Sequence, residues 1–150
     1  MSSERTILLA VRIGEASVRA ARTAAWLAGD LGGKVIVLYV AVELETVPAV
    51  AAGAGLDHNE VRDRILTEAR ERAQTLARDV LGDTPHEVLV GEGDVAEEVT
   101  ETATRIGADM VVVGSKGRSA VRSVILGDTT RDILRLAHCP VVVVPPKVAD

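Results

Sequence analysis

The chain contains no phenylalanine, and its whole aromatic inventory is Trp26 and Tyr39. Proteins that hold single-stranded nucleic acid rest successive bases on aromatic faces, so that mode of binding is excluded. A basic surplus is missing as well. Seventeen Lys and Arg stand against 22 Asp and Glu, a net charge of −5, which opposes broad affinity for a phosphate backbone. Cys139 is the one cysteine, which rules out an intrachain disulfide and a cysteine-built metal site. The histidines, His58, His86 and His138, are scattered without i, i+4 spacing or a carboxylate cluster, so no metal site is expected. No apolar run approaches the ~20 residues that span a bilayer. The opening MSSERTILLAV lacks the charged head and cleavage site of a signal peptide. These absences predict a soluble, cytoplasmic protein with no membrane insertion and no nucleic-acid partner.

What is present suits one domain over residues 1–150, 47% hydrophobic and 26% charged. Five short runs are rich in Val, Ile and Leu: Thr6–Val11, Lys34–Val40, His86–Val90, Met110–Val113 and Pro140–Val144. None alternates strictly between apolar and polar, as expected of strands covered on both faces of a parallel sheet. Between them lie segments of helical period. The first, Ala16 to Asp30, puts Val18, Ala21, Ala25 and Ala28 on one stripe; the second, Glu60 to Leu81, does so with Val61, Ile65, Ala69, Ala73, Leu76 and Val80. A third opens at Asp94, which forms a D-x-x-E capping box with Glu97 and leads into Val95, Val99, Ala103 and Ile106. A fourth opens near Asp128 and carries Ile133, Leu134 and Ala137. Strict alternation of strand and helix predicts an α/β fold, a three-layer α/β/α sandwich on a doubly wound five-stranded parallel sheet. Such sheets bind ligands beyond the carboxyl ends of their strands, where the strand order reverses.

The stretch Glu43 to Asn59 is long, rich in Ala and Gly and without clear period. It reads as a mobile connection between second strand and second helix, or as a lid over the strand ends.

After the fourth run comes VVVGSKGRSAVRSVILGDTT, in which Gly114, Gly117 and Gly127 form G-x2-G-x9-G. Glycines there let backbone amides approach an anion with no Cβ in the way. Gly127 precedes the last helix, whose free N–H groups and partial positive charge make a phosphate seat. Lys116, Arg118 and Arg122 add cations. On the residues alone, a turn followed by a helix start explains the same pattern.

This loop, the preceding RIGADMVVVGSKGRS, the ending ILRLAHCPVVVV and the opening ILLAV together resemble the universal stress protein family across essentially the whole chain. The resemblance implies a Rossmann-like sheet of the adenine nucleotide alpha hydrolase type. It also implies a dimeric regulatory or stress-response module rather than an enzyme, with ATP or another adenine nucleotide as ligand and magnesium left open. Val113, Gly114, Lys116, Gly117 and Arg118 would wrap the phosphates, which Gly127, Asp128, Thr129 and Thr130 would seat. Ala10, Val11, Arg12, Val40 and Ala41 would flank adenine and ribose. A homodimer would pair the last strands through Val141, Val142, Val143 and Val144.

Two residues depart from the family's pattern. Its Ser or Thr after the third glycine is Asp128 here, and the acidic residue closing its first strand is Arg12. As an N-cap, Asp128 would occupy the helix-terminal donors a phosphate needs. Two unit charges ~4 Å apart cost about 4 kcal/mol at an effective dielectric of ~20. A charge pair between Arg12 and Asp128 is the expectation that follows, either closing an empty pocket or leaving Arg12 to touch phosphate in place of a metal. Two alternatives stay open: a dimeric interaction protein whose ATP binding Arg12 and Asp128 have abolished, and a slow ATPase, for which no base is evident.

The remaining motifs are weak. Gly91 to Ala96 fits G-x-G-x-x-A but belongs to the third strand and carries Glu92 and Asp94, so it reads as a capped helix start. Cys139 reads as a buried structural thiol, and Ser115, Ser119 and Ser123 as loop polarity.

Overall fold

The chain's structure, a computed structural model, describes residues 4–12, 15–115 and 126–145, with backbone alone at 15 and 16. The elements run β1 (Thr6–Val11), α1 (Glu15–Leu31), β2 (Lys34–Val40), a 3-10 turn (Val42–Thr46) and α2 (Val47–Ala54). They continue with α3 (His58–Leu81), β3 (His86–Gly91), α4 (Val95–Ile106), β4 (Met110–Gly114), α5 (Asp128–Leu136) and β5 (Val141–Val144). Every strand pairing is parallel, in the order β3-β2-β1-β4-β5. The predicted doubly wound α/β sandwich is therefore the fold.

The continuous apolar runs follow from this placement. Along β1, Ile7, Leu9 and Val11 join the cluster under α1 and α3, while Leu8 joins the cluster under α4 and α5. Ile7, Leu8 and Leu9 have no exposed surface, nor have Val35, Val37, Val111 and Val112 on the neighbouring strands. Full burial of such a side chain contributes about 1.5–3 kcal/mol, so the centre of the sheet is a rigid platform. The helices lie close because their inner rows are alanine: Ala20, Ala21, Ala24 and Ala28 in α1, and Ala69, Ala73 and Ala77 in α3. Those rows sit within a residue or so of the predicted stripes. Val18, Ile65, Leu76 and Val80 are half-buried at their edges.

The segment from residue 43 to 59 corrects the expectation of an aperiodic connection. It holds the 3-10 turn and α2, and Val47, Ala51 and Val61 build a small core of their own with Leu44 and Ile65. Pro48 stands in the first turn of α2, where its fixed φ suits a helix. Gly55, at φ +64°, ends α2 in the left-handed region open to glycine. Asp57 then caps α3, accepting the Asn59 amide at 2.8 Å. Punctuation, rather than periodicity, marked this helix.

The order reverses at β1. From it the chain crosses toward β2 and β3, then returns past it to β4 and β5. Pairing between β1 and β4 ends at Ala10 with Val113. Beyond that pair α1 covers one face and α5 the other, and these carboxyl ends, where the strand order reverses, are where an open sheet of this kind receives a ligand.

Candidate functional site

At the carboxyl ends, Val11 and Arg12 finish β1, Gly114 and Ser115 finish β4, and the first turn of α5 lies within reach of Arg12. Two hydrogen bonds fix the backbone of Arg12. Its amide donates to Ser17 Oγ at 2.8 Å, and the Ser17 hydroxyl donates back to the Arg12 carbonyl. Ser17 is buried, so the end of β1 is tied to the first turn of α1. Sequence reasoning missed this serine, although a Ser in the first turn of a helix is the usual signal for such a bond.

From that fixed backbone the Arg12 side chain reaches the first turn of α5, and its Nη2 donates to Thr129 Oγ1 at 3.2 Å. The expected pair with Asp128 does not form: no Arg12–Asp128 contact occurs within salt-bridge range among the described residues. Nor is Asp128 the cap. Gly127 occupies the N-cap position, at φ −66° and ψ 162°, and Asp128 is the first helical residue. A glycine has no side chain with which to claim the first-turn amides, so the N-cap residue itself makes no side-chain cap bond. The carboxylate of Asp128 is exposed, where solvent screens it and its position on the first turn is favourable to the helix. Predicted repulsion is thereby reduced, because the carboxylate sits beside the donors instead of on them.

The other expected residues divide by burial. Ala10 and Val113 are the last register pair between β1 and β4, and Gly114 and Thr129 are half-exposed. Val40 and Ala41 are buried, 7% and 1% exposed, and Thr130 is 7% exposed. Val40 packs among the residues under α4, and the Ala41 amide donates to the Gly91 carbonyl at 2.8 Å. Lys116, Gly117 and Arg118 lie outside the described residues, as do Ser119, Arg122 and Ser123. Ser115 is not loop polarity. It is fully buried, its amide extends the ladder to the Val144 carbonyl at 2.9 Å, and its hydroxyl has no partner among the described residues.

On the α1–α3 side, an open cleft of about 570 Å³ runs between the helices. Val11, Tyr39 and Leu76 line it, with Arg12 and Arg72 among its charged groups. Tyr39 donates to Glu43 Oε1 at 2.5 Å, tying the strand end to the 3-10 turn. Burial, then this bond and the Glu43 charge, push the Tyr39 phenol up to about 12, against an opposing pull from Arg72 and Arg12. The capped-turn reading of Gly91 to Ala96 holds: Asp94 caps α4, accepting the Glu97 amide at 3.0 Å. Cys139 is half-buried, and burial raises its thiol pKa, as does the charge of Asp109. Among the described residues no three His, Cys, Asp or Glu side chains gather as metal ligands. No helix of the described residues is long and apolar enough to cross a membrane.

With this geometry in place, comparison with known proteins becomes informative. The family model described as the universal stress protein family matches residues 4–145. The chain belongs to the universal stress protein family. Universal stress protein G of Escherichia coli O157:H7 is 32% identical over 148 residues, covering 93% of this chain and 98% of that protein. Among solved structures, MJ0577 of Methanocaldococcus jannaschii superimposes with a TM-score of 0.77 at 22% identity, covering 97% of this chain and 98% of that one. A universal stress protein in complex with cAMP superimposes at 0.62 and 23% identity, covering 97% and 100%. At these identities the superpositions speak for a shared universal stress protein fold.

Proposed function

We propose that this universal stress protein is a regulatory, non-catalytic module that binds an adenine nucleotide, with its phosphate at the first turn of α5. The observation that carries this reading is the helix start beside the topological switch point: the N-cap is Gly127, which makes no side-chain cap bond, and Arg12 reaches Thr129 on the helix's first turn. Helix amides and a guanidinium together are what a phosphate requires. The family relative solved with cAMP supports an adenine-containing ligand. Gly114, Gly117, Lys116 and Arg118 would complete the phosphate seat, with Thr129 and Thr130 supplying amides from the helix. Ala10, Val11, Val40 and Ala41 would meet the nucleoside mainly through backbone, since three of the four side chains are buried.

The reading includes a homodimer in the cytoplasm, joined through Val141 to Val144. β5 is an edge strand whose first three valines are half-buried, and an open apolar edge invites a second strand. Light scattering coupled to size exclusion would return twice the chain mass, and a Val142→Lys variant would return the chain mass.

The second reading, an interaction protein of the same family without ATP, is favoured by the Asp128 carboxylate on the helix's first turn. Calorimetric titration of the purified protein with ATP and AMP separates the two. Saturable binding at one nucleotide per chain supports the first; no heat above dilution with either ligand supports the second.

A further inference from the structure

We infer that Arg12 takes the place of a divalent cation at the start of α5, so that the site receives nucleotide phosphate as a metal-free anion. The inference rests on the nucleotide reading above and goes further, because it assigns the charge that neutralises the phosphate to one residue of the chain.

The first ground is placement. Ser17 holds the Arg12 backbone from both its N–H and its carbonyl. The side chain therefore starts from a fixed point and reaches the first turn of α5, 3.2 Å from Thr129 Oγ1. No carboxylate neutralises it within salt-bridge range among the described residues. A guanidinium keeps its charge at every working pH, and its planar fork offers paired N–H donors to two phosphate oxygens.

The second ground is what a metal would need there. Magnesium demands octahedral oxygen ligands, one or two of them protein carboxylates, with phosphate and water supplying the rest. Among the described residues no three His, Cys, Asp or Glu side chains gather as ligands, and the first turn of α5 carries one carboxylate, Asp128. Asp128 is a carboxylate in the right region, but it shares its helix turn with open amides, and Arg12 reaches the next residue. The helix start and the guanidinium are both positive there, and Asp128 is the one carboxylate of that turn that opposes them. This donor set suits an anion better than magnesium.

The third ground is Ser115. Its hydroxyl is wholly buried without a partner among the described residues, a condition native proteins rarely leave unexplained. Strand alternation after Val111 and Val113 places it on the face that α5 covers. The end of β4 thus carries a buried hydroxyl that pairs with no described residue.

The test is calorimetric titration of the full chain with AMP and with ATP, each in EDTA and in excess magnesium. Native protein would be compared with Arg12→Ala, Arg12→Lys and Arg12→Asp, each shown folded by circular dichroism. Native affinity should agree within about threefold between EDTA and magnesium. In EDTA, Arg12→Ala should weaken binding tenfold or more, Arg12→Lys should recover part of it, and Arg12→Asp should bind only with magnesium. Native binding that vanishes in EDTA and returns with magnesium overturns the inference while leaving the nucleotide reading intact. So does an Arg12→Ala variant that binds in EDTA as tightly as the native protein. Failure of the native protein to bind either nucleotide under either condition is the distinct result that overturns the nucleotide reading, and this inference with it.

Discussion

α4 and α5 start at the same end of the sheet, pack on the same face and treat their first turns in opposite ways. α4 is closed by its own sequence, with Asp94 accepting the Glu97 amide at 3.0 Å. α5 begins after Gly127, which has nothing to offer its amides. The burial differs too. α4 sinks Ala96, Val99, Thr100, Thr102 and Ala103, whereas α5 sinks Thr130 and Ile133. One helix is anchored at its start and along its length; the other is anchored in its middle and left open where the sheet's order reverses. An unsatisfied helix end is unfavourable for folding alone, and it is useful where an anion completes it.

The largest expected effect tests the anchoring of α5. Ile133 is 2% exposed, and Ile133→Ala should lower unfolding free energy by about 3 kcal/mol in a urea titration. A loss under 1 kcal/mol would mean that α5 is held by something other than its core contact. Next, Asp128→Asn should raise ATP affinity about tenfold, equivalent to about 1.4 kcal/mol, by removing an exposed negative charge beside the phosphate seat; unchanged calorimetric affinity would put the phosphate elsewhere. Asp94→Ala should cost about 1 kcal/mol of stability, the usual value of an N-cap, without altering nucleotide affinity. Gly127→Ser places a hydroxyl where a Cβ meets open space. It should gain a few tenths of a kcal/mol in thermal stability and weaken nucleotide binding severalfold, turning α5 into a second α4.

The smallest effect lies at the opposite end of the sheet, where Asp109 closes β1 much as Asp94 closes α4. Its carboxylate accepts the Thr6 amide at 2.8 Å and pairs with Arg5 at 3.2 Å. The backbone bond chiefly, then Arg5, hold its pKa below the ordinary carboxylate value, against desolvation. A pKa lower in the folded state than in the unfolded state gives stability that is present above about pH 4 and lost as pH falls through the folded value. Denaturation midpoints followed from pH 6 to pH 2 should therefore fall more steeply for the native chain than for Asp109→Asn. Parallel curves would remove Asp109 from the account.

Much of this was legible in the chain. Val, Ile and Leu runs located all five strands to within a residue, because a strand covered on both faces has no polar side to show. Asp94 with Glu97 announced the start of α4 through local bonding, which needs no tertiary partner. The helix over Val47–Ala54 was not legible from period, since its burial is confined to Val47 and Ala51. The site was half legible. Gly127 and Asp128 were singled out, yet their roles were exchanged: a cap is defined by backbone angles, and both residues are tolerated at either position. Arg12 was placed against the wrong neighbour for a similar reason, since Asp128 and Thr129 are adjacent in sequence and only helix geometry decides which one faces the strand end.

Local chemistry and apolar pattern thus determined the elements, their parallel pairing and the end of the sheet where a ligand belongs. Tertiary structure decided which groups meet there, bringing Arg12 to Thr129 across 117 positions of chain. It also put a glycine at the N-cap of α5 and buried the Ser115 hydroxyl without a partner among the described residues. The physical reason is range. Propensity, caps and periodicity act over a few residues, whereas the orientation of a long side chain depends on the twist of the sheet and the angle at which a helix packs on it.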